Sequence, residues 1–148
     1  MSARPRGYAQ RVDVSSDAAT VWRALTTPEV LRQWCAPEAD ILAREGGVLR
    51  AAPDLDLALE AHIDVFQPPR RLRLIYLPTA NLPPADNTVV DDFMLDDSSG
   101  SVTVVRLLGS GFPATEAWDV LYRRMRTGWE QALPRLKALV EHAAGSNE

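Results

Sequence analysis

The stretch TEAWDVLYRRMRTGWEQALPRLKALVEHA, residues 115–143, decides the fold. Within it Trp118, Tyr122, Met125, Trp129, Leu133, Leu136 and Val140 recur at spacings of three and four, the period of a single helix face. At ~1.5 Å per residue such a helix is about 40 Å long, enough to cross a small domain. Its other face carries Arg123, Arg124, Glu130, Arg135, Lys137 and Glu141 and reads as solvated surface. So long an apolar stripe requires an apolar layer to cover it.

Upstream of this helix the period falls to two. Thr88–Asp96 and Ser101–Leu108 read as a hairpin across Asp97-Ser98-Ser99-Gly100. Leu57, Leu59, Ala61, Ile63 and Val65 share one strand face, with Glu60, His62 and Asp64 on the other. Gln67-Pro68-Pro69-Arg70 turns that strand into the next, Arg71–Leu77. Asp40–Ala43 and Val48–Ala51 flank Arg44-Glu45-Gly46-Gly47, a hairpin signal. Pro78–Asn87 holds three prolines and is expected to be a long loop. Gly109-Ser110-Gly111-Phe112-Pro113 is read as the turn that releases the last strand into the long helix. It is neither a nucleophile elbow nor a phosphate loop, since Leu108 stands where the elbow needs glycine and no glycine-lysine pair follows.

The front of the chain supplies a strand at Tyr8–Val14 and two helix starts. Ser15-Ser16-Asp17 offers cap chemistry for a helix over 17–26 with Ala18, Val21, Trp22 and Leu25 on one face. Thr27-Pro28-Glu29 opens a second, short helix that ends near Trp34, with an N-cap hydroxyl, proline at the first position and an acid in the first turn. The order predicts an α+β domain. A curved antiparallel sheet of six to seven strands wraps around the long C-terminal helix, and two short helices follow the first strand.

Composition narrows the function classes. The 148 residues make one domain. A net charge of −4 lacks the basic footprint of a nucleic-acid binder. Cys35 alone forms no internal disulfide, and with only two histidines there is no zinc cluster. No apolar run is long enough for a membrane span, and MSARPRGYAQ lacks an apolar signal core. A cytoplasmic domain without cofactor or metal is expected. Fifteen arginines against one lysine are read as codon bias in the source genome.

The candidate site follows from the aromatics. Trp34, Tyr76, Phe93, Trp118, Tyr122 and Trp129 come from different elements that this architecture brings together. They either fill the core or line an apolar ligand cavity. Gly128 in mid-helix costs ~1 kcal/mol relative to alanine, which favours a packing or cavity reason for it. Met125 joins this set from the same helix, and Arg106 joins it if it points inward, where it would bind a ligand's polar end. Register leaves that direction open. Pointing outward, Arg106 would pair with Asp92 across strands. One of Asp91 and Asp92 must face inward by alternation. His62 falls on the solvated face, and Cys35 reads as a small apolar filler with no imidazole to activate it.

Val21-Trp22-Arg23-Ala24-Leu25-Thr26-Thr27-Pro28-Glu29 with Leu31 and Trp34 resembles the start of the START-like (SRPBCC, helix-grip) superfamily. Within it the sequence is most similar to the activator of heat-shock-protein-90 ATPase homologues. Gly46-Gly47, Pro68-Pro69-Arg70-Arg71-Leu72, Ser110-Gly111-Phe112 and Gly128-Trp129 agree in order, so the likeness runs from Tyr8 to about Val140. The resemblance implies a deep, mostly apolar cavity between sheet and long helix. It leads to the expectation of a binding module for an apolar or aromatic small molecule, with no catalytic residue assigned. Two alternatives stand beside it. One is a polyketide-cyclase-like enzyme, in which tyrosine or Asp91 shuttles a proton and which an inward acid of raised pKa would favour. The other is a chaperone or regulatory interaction module, with a protein partner or a homodimer.

Overall fold

Ten elements follow one another in the computed structural model, which describes residues 4–54, 57–77, 82–85, 88–98 and 100–145. They are β1 (Arg6–Val14), α1 (Ala18–Thr26), α2 (Pro28–Trp34), β2 (Asp40–Ile41), β3 (Val48–Asp54), β4 (Leu57–Gln67), β5 (Arg71–Tyr76), β6 (Val90–Asp96), β7 (Thr103–Phe112) and α3 (Glu116–Gly145). The seven strands form one antiparallel sheet in the order β1-β7-β6-β5-β4-β3-β2. Every neighbouring pair but one is sequential. The exception is β1, which closes the far edge by pairing with β7.

The predicted stripe of α3 is buried: Trp118, Tyr122, Met125, Leu133, Leu136 and Val140 are in the core, and Trp129 packs against it half-buried. The strands supply the facing layer through Ile63, Leu72, Leu74, Phe93, Leu95, Val105 and Leu107. At α1, Asp17 accepts from the Thr20 amide as the cap requires, whereas the Thr27 hydroxyl makes no cap bond to α2. The Val30 amide donates to the Thr27 carbonyl instead, at 3.1 Å, and Pro28 removes one of the unpaired amides of the first turn.

Three expectations are corrected or fall outside the described residues. First, 109–113 does not end the strand, because β7 runs to Phe112 with β6 and β1 bonded on either side. Gly111 adopts φ +79°, and a Cβ there would strike the Thr88 carbonyl, so glycine continues the strand through a bend that other residues resist. Second, a register shift between Ile63 and Val65 turns Val65 partly out of the face that Leu59, Ala61 and Ile63 bury. Third, most of the 78–87 segment and the side chain at Leu57 lie outside the described residues, while 82–85 and 88–89 are not strand.

Candidate functional site

Between α3 and the β3–β5 end of the sheet lies a cavity of about 500 Å³. Leu49, Ala51 and Leu59 form its sheet wall, and Met125, Gly128 and Ala132 its helix wall. Tyr76 and Trp129 face it from the inner end, and Cys35, Ala36 and Pro37, just past α2, close one side. Its mouth is marked by the exposed residues Pro37, Arg123, Thr127, Gln131 and Arg135, with half-buried Arg124 beside them. The Gly128 position is informative here, because a Cβ built there meets nothing within 4 Å. Gly128→Ala is therefore expected to raise stability by up to ~1 kcal/mol through helix propensity, measured by urea unfolding. Gly128→Leu is expected to fill the cavity.

Behind the inner wall stands Asp91, fully buried on β6. Its Oδ1 accepts from the Tyr8 hydroxyl at 2.5 Å, and its Oδ2 accepts from the Tyr76 hydroxyl at 2.5 Å and from Trp129 Nε1 at 3.0 Å. One carboxyl thus joins β1, β5, β6 and α3. Burial pushes it up to about 6, with the three donors pulling the other way. Burial, reinforced by Asp91, also raises both phenols far out of the physiological range, so Tyr8 and Tyr76 remain donors.

A carboxyl raised above its unfolded value contributes stability that is complete below the unfolded pKa and is lost as pH rises through about 6. From the unfolded value near 4 to pH 7, this loss amounts to about 3 kcal/mol. Asp13, Asp17, Asp96, Asp97 and Glu141 are lowered by their hydrogen bonds and slope oppositely, but in the range around and below pH 4. Stability should therefore fall between about pH 4 and 6 and level off by pH 7, and Asp91→Asn should flatten that fall. Urea midpoints across the range decide it; a slope unchanged in the variant would reassign it to another group.

Of the residues expected at the site, Tyr76, Met125 and Trp129 line the cavity. Trp34 and Phe93 form a second layer behind Trp129, with ring centroids at 6.4 and 5.3 Å. Trp118 and Tyr122 are not among the lining residues. Trp118 packs edge-on against Phe112 and donates to the Pro84 carbonyl, and the Tyr122 hydroxyl donates to the Gly7 carbonyl. Arg106 faces away from the cavity, exposed between inward Val105 and Leu107. Nor does it pair with Asp92, which takes both Nε and Nη2 of Arg71 at 3.1 and 2.8 Å. Asp91 is the inward acid, as the alternation with Phe93 and Leu95 requires.

Sequence reasoning missed Tyr8, and although the polar face of α3 is exposed at Arg123, Glu130 and Arg135 as expected, it did not anticipate the bonds this face makes. That face is engaged: Arg135 Nε donates to the Trp34 carbonyl, Lys137 reaches the Asp13 carbonyl and Glu141, and Glu141 accepts from the Ser15 amide. A spacing of four could have found the mouth, since Arg123, Thr127, Gln131 and Arg135 make one ridge beside Gly128. Cys35 lines the cavity, its thiol pushed up to about 12 by burial, which suits a filler rather than a nucleophile. Among the described residues no group of three or more metal-ligating side chains occurs, and no helix is long and apolar enough to cross a membrane.

The model of the family described as Activator of Hsp90 ATPase homolog 1-like protein matches residues 15–141. No curated protein matches the chain. Among solved structures, a protein from Mesorhizobium loti is 24% identical with a TM-score of 0.78, the match covering 93% of this chain and 98% of that one. The Aha1 dimer from Colwellia psychrerythraea is 18% identical with a TM-score of 0.77, covering 92% and 96%. An HSP90 activator from Plasmodium falciparum is 11% identical with a TM-score of 0.74, covering 90% and 95%. At these identities the structures share the fold.

Proposed function

The chain belongs to the Activator of Hsp90 ATPase homolog 1-like family, within the START-like superfamily, and from that footing we propose that it is a binding module for an apolar or aromatic small molecule. The observation that carries this reading is the 500 Å³ cavity with apolar walls, ending on Tyr76 and Trp129. That volume falls within the range of small-molecule sites, and so does the chemistry of apolar walls with a few fixed polar groups. Tyr76 and Trp129 are held in place by the same carboxylate oxygen, so the inner wall is pre-organised before a ligand arrives.

The test is native mass spectrometry of the purified protein, followed by titration of tryptophan emission with fatty acids, sterols and flat aromatic compounds. Trp129 lines the cavity, so occupancy should change its emission in a saturable way. Gly128→Leu should abolish the response while the protein remains folded. Silence from every compound, with no retained mass, would overturn the reading.

A second reading, an enzyme, draws on one observation. Asp91 is inward, its carboxyl is raised to about 6, and Tyr76 links it to the cavity. Tyr76 could accept a proton from a bound substrate while passing its own to Asp91. Product formation by the wild type, abolished in Tyr76→Phe with ligand affinity retained, would favour this reading over simple binding. An interaction module akin to the chaperone activators draws less support. The exposed large apolar side chains among the described residues, Leu42, Leu108 and Val120, sit on three separate segments.

A further inference from the structure

The cavity mouth has a charge of its own. Arg123, Thr127, Gln131 and Arg135 follow one another every four residues along α3, so they line one wall of the opening for about three turns. Arg124 adds a further cation on the neighbouring ridge. No acidic residue is among the lining residues described, although the chain as a whole carries −4. A protein with an excess of acids that gathers arginines around an apolar cavity creates a local field opposite to its net charge.

Arg135, exposed at the mouth, is the arginine that a hydrogen bond tethers to the cavity wall. Its Nε donates to the Trp34 carbonyl at the end of α2, at 2.9 Å, and the guanidinium is thereby anchored beside Cys35 on the cavity wall. The Cys35 thiol, raised by burial, feels that positive charge as its main opposing influence. With Nε used in this way, the two terminal nitrogens make no ion pair among the described residues. A fixed guanidinium with a free fork is suited to two-point binding of a carboxylate.

We propose that the cavity takes an amphiphile with an apolar body and an anionic end, the body lying between Leu49, Leu59 and Met125 and the anion against the Arg135 fork. This rests on the binding reading above and narrows it to a substrate class. Arg123, which makes no ion pair among the described residues, contributes to the attraction from the other end of the ridge.

The experiment compares decanoate, methyl decanoate and decanol, each below its aggregation limit, by tryptophan emission and native mass spectrometry at two salt concentrations. The acid should bind at least about 10-fold tighter than the ester or the alcohol, as expected for a hydrogen bond to a charged group. That advantage should shrink at high salt. Arg135→Gln should bring the acid to the level of the ester and leave the ester unchanged, and Arg135→Lys should retain part of the preference. If Arg135→Gln fails to fold, the acid-to-ester ratio of the wild type and its salt dependence decide alone. Equal binding of acid and ester, or binding confined to neutral aromatic compounds, would overturn the anionic end while leaving the cavity reading intact. Absence of binding by all compounds, neutral aromatics included, would overturn both.

Discussion

Asp91→Ala is expected to lower the stability of the protein by roughly 3–5 kcal/mol, a large fraction of the 5–15 kcal/mol typical of a domain. The size comes from what the substitution leaves behind. The Tyr8 and Tyr76 hydroxyls and Trp129 Nε1 all donate to this one carboxyl, and all lose their acceptor together. A buried donor left unpaired costs ~1–3 kcal/mol, and a water entering the vacated space recovers part of the sum. Asp91→Asn should cost far less. Its carbonyl oxygen can take the two bonds made by Tyr76 and Trp129, and its amide can donate to a rotated Tyr8 hydroxyl. Urea unfolding of the two variants at pH 7 separates these outcomes. If alanine and asparagine cost the same, the donors are satisfied elsewhere and the carboxyl does not hold the four elements together.

Gly109→Ala is the second large effect, about 2–4 kcal/mol. Gly109 faces Tyr8 in the β1–β7 register, and a Cβ on it would fall within the Tyr8 ring. The ring has little room to retreat. Phe112 lies 5.3 Å and Tyr122 6.2 Å from it, centroid to centroid, and its hydroxyl is fixed on Asp91. Displacing it both overpacks this end of the core and removes one donor from the carboxyl. The cost should be largely absent when Tyr8 is already alanine, because the clash and the lost bond both belong to that ring. A double-mutant cycle reads this as a coupling energy. Additive costs would mean that the glycine is required by the strand backbone rather than by the ring.

The legible part of this structure was everything written as a period. The stripe of α3, the alternation of β4 and β5, and the caps of the two short helices gave ten elements in order, because each pattern lies within one segment. That one of Asp91 and Asp92 faces inward could be read in the same way, and the structure shows it to be Asp91, on the face of Phe93 and Leu95. Its partners could not. Tyr8 sits on a strand whose inward face alternates only to partial burial and includes Arg6 and Gln10, so nothing local distinguishes it. Its meeting with Asp91 depends on β1 pairing with β7, a tertiary fact. The extension of β7 was hidden for a related reason. Two glycines read as a break until Tyr8 and the Thr88 carbonyl are seen to occupy the space where side chains would be. The cavity mouth was overlooked because charged residues on a long helix usually face only water, and here the sheet's β3–β5 end stands open beside them.

The closing of the sheet by β1 also bears on how the chain is made. The first strand leaves the ribosome early, yet residue 8 has no strand to pair with until residue 109 has been added, and Asp91 lacks its indole donor until residue 129. At ~5–20 residues per second, that is a wait of some seconds. Asp91 itself is added late in that wait; from residue 91 to residue 129, about 2–8 s at that rate, the nascent sheet holds a carboxylate without its full set of donors, and burying it so poorly paired is costly. Premature collapse of the half-made sheet is opposed by the very group that later fastens strand, sheet and helix together.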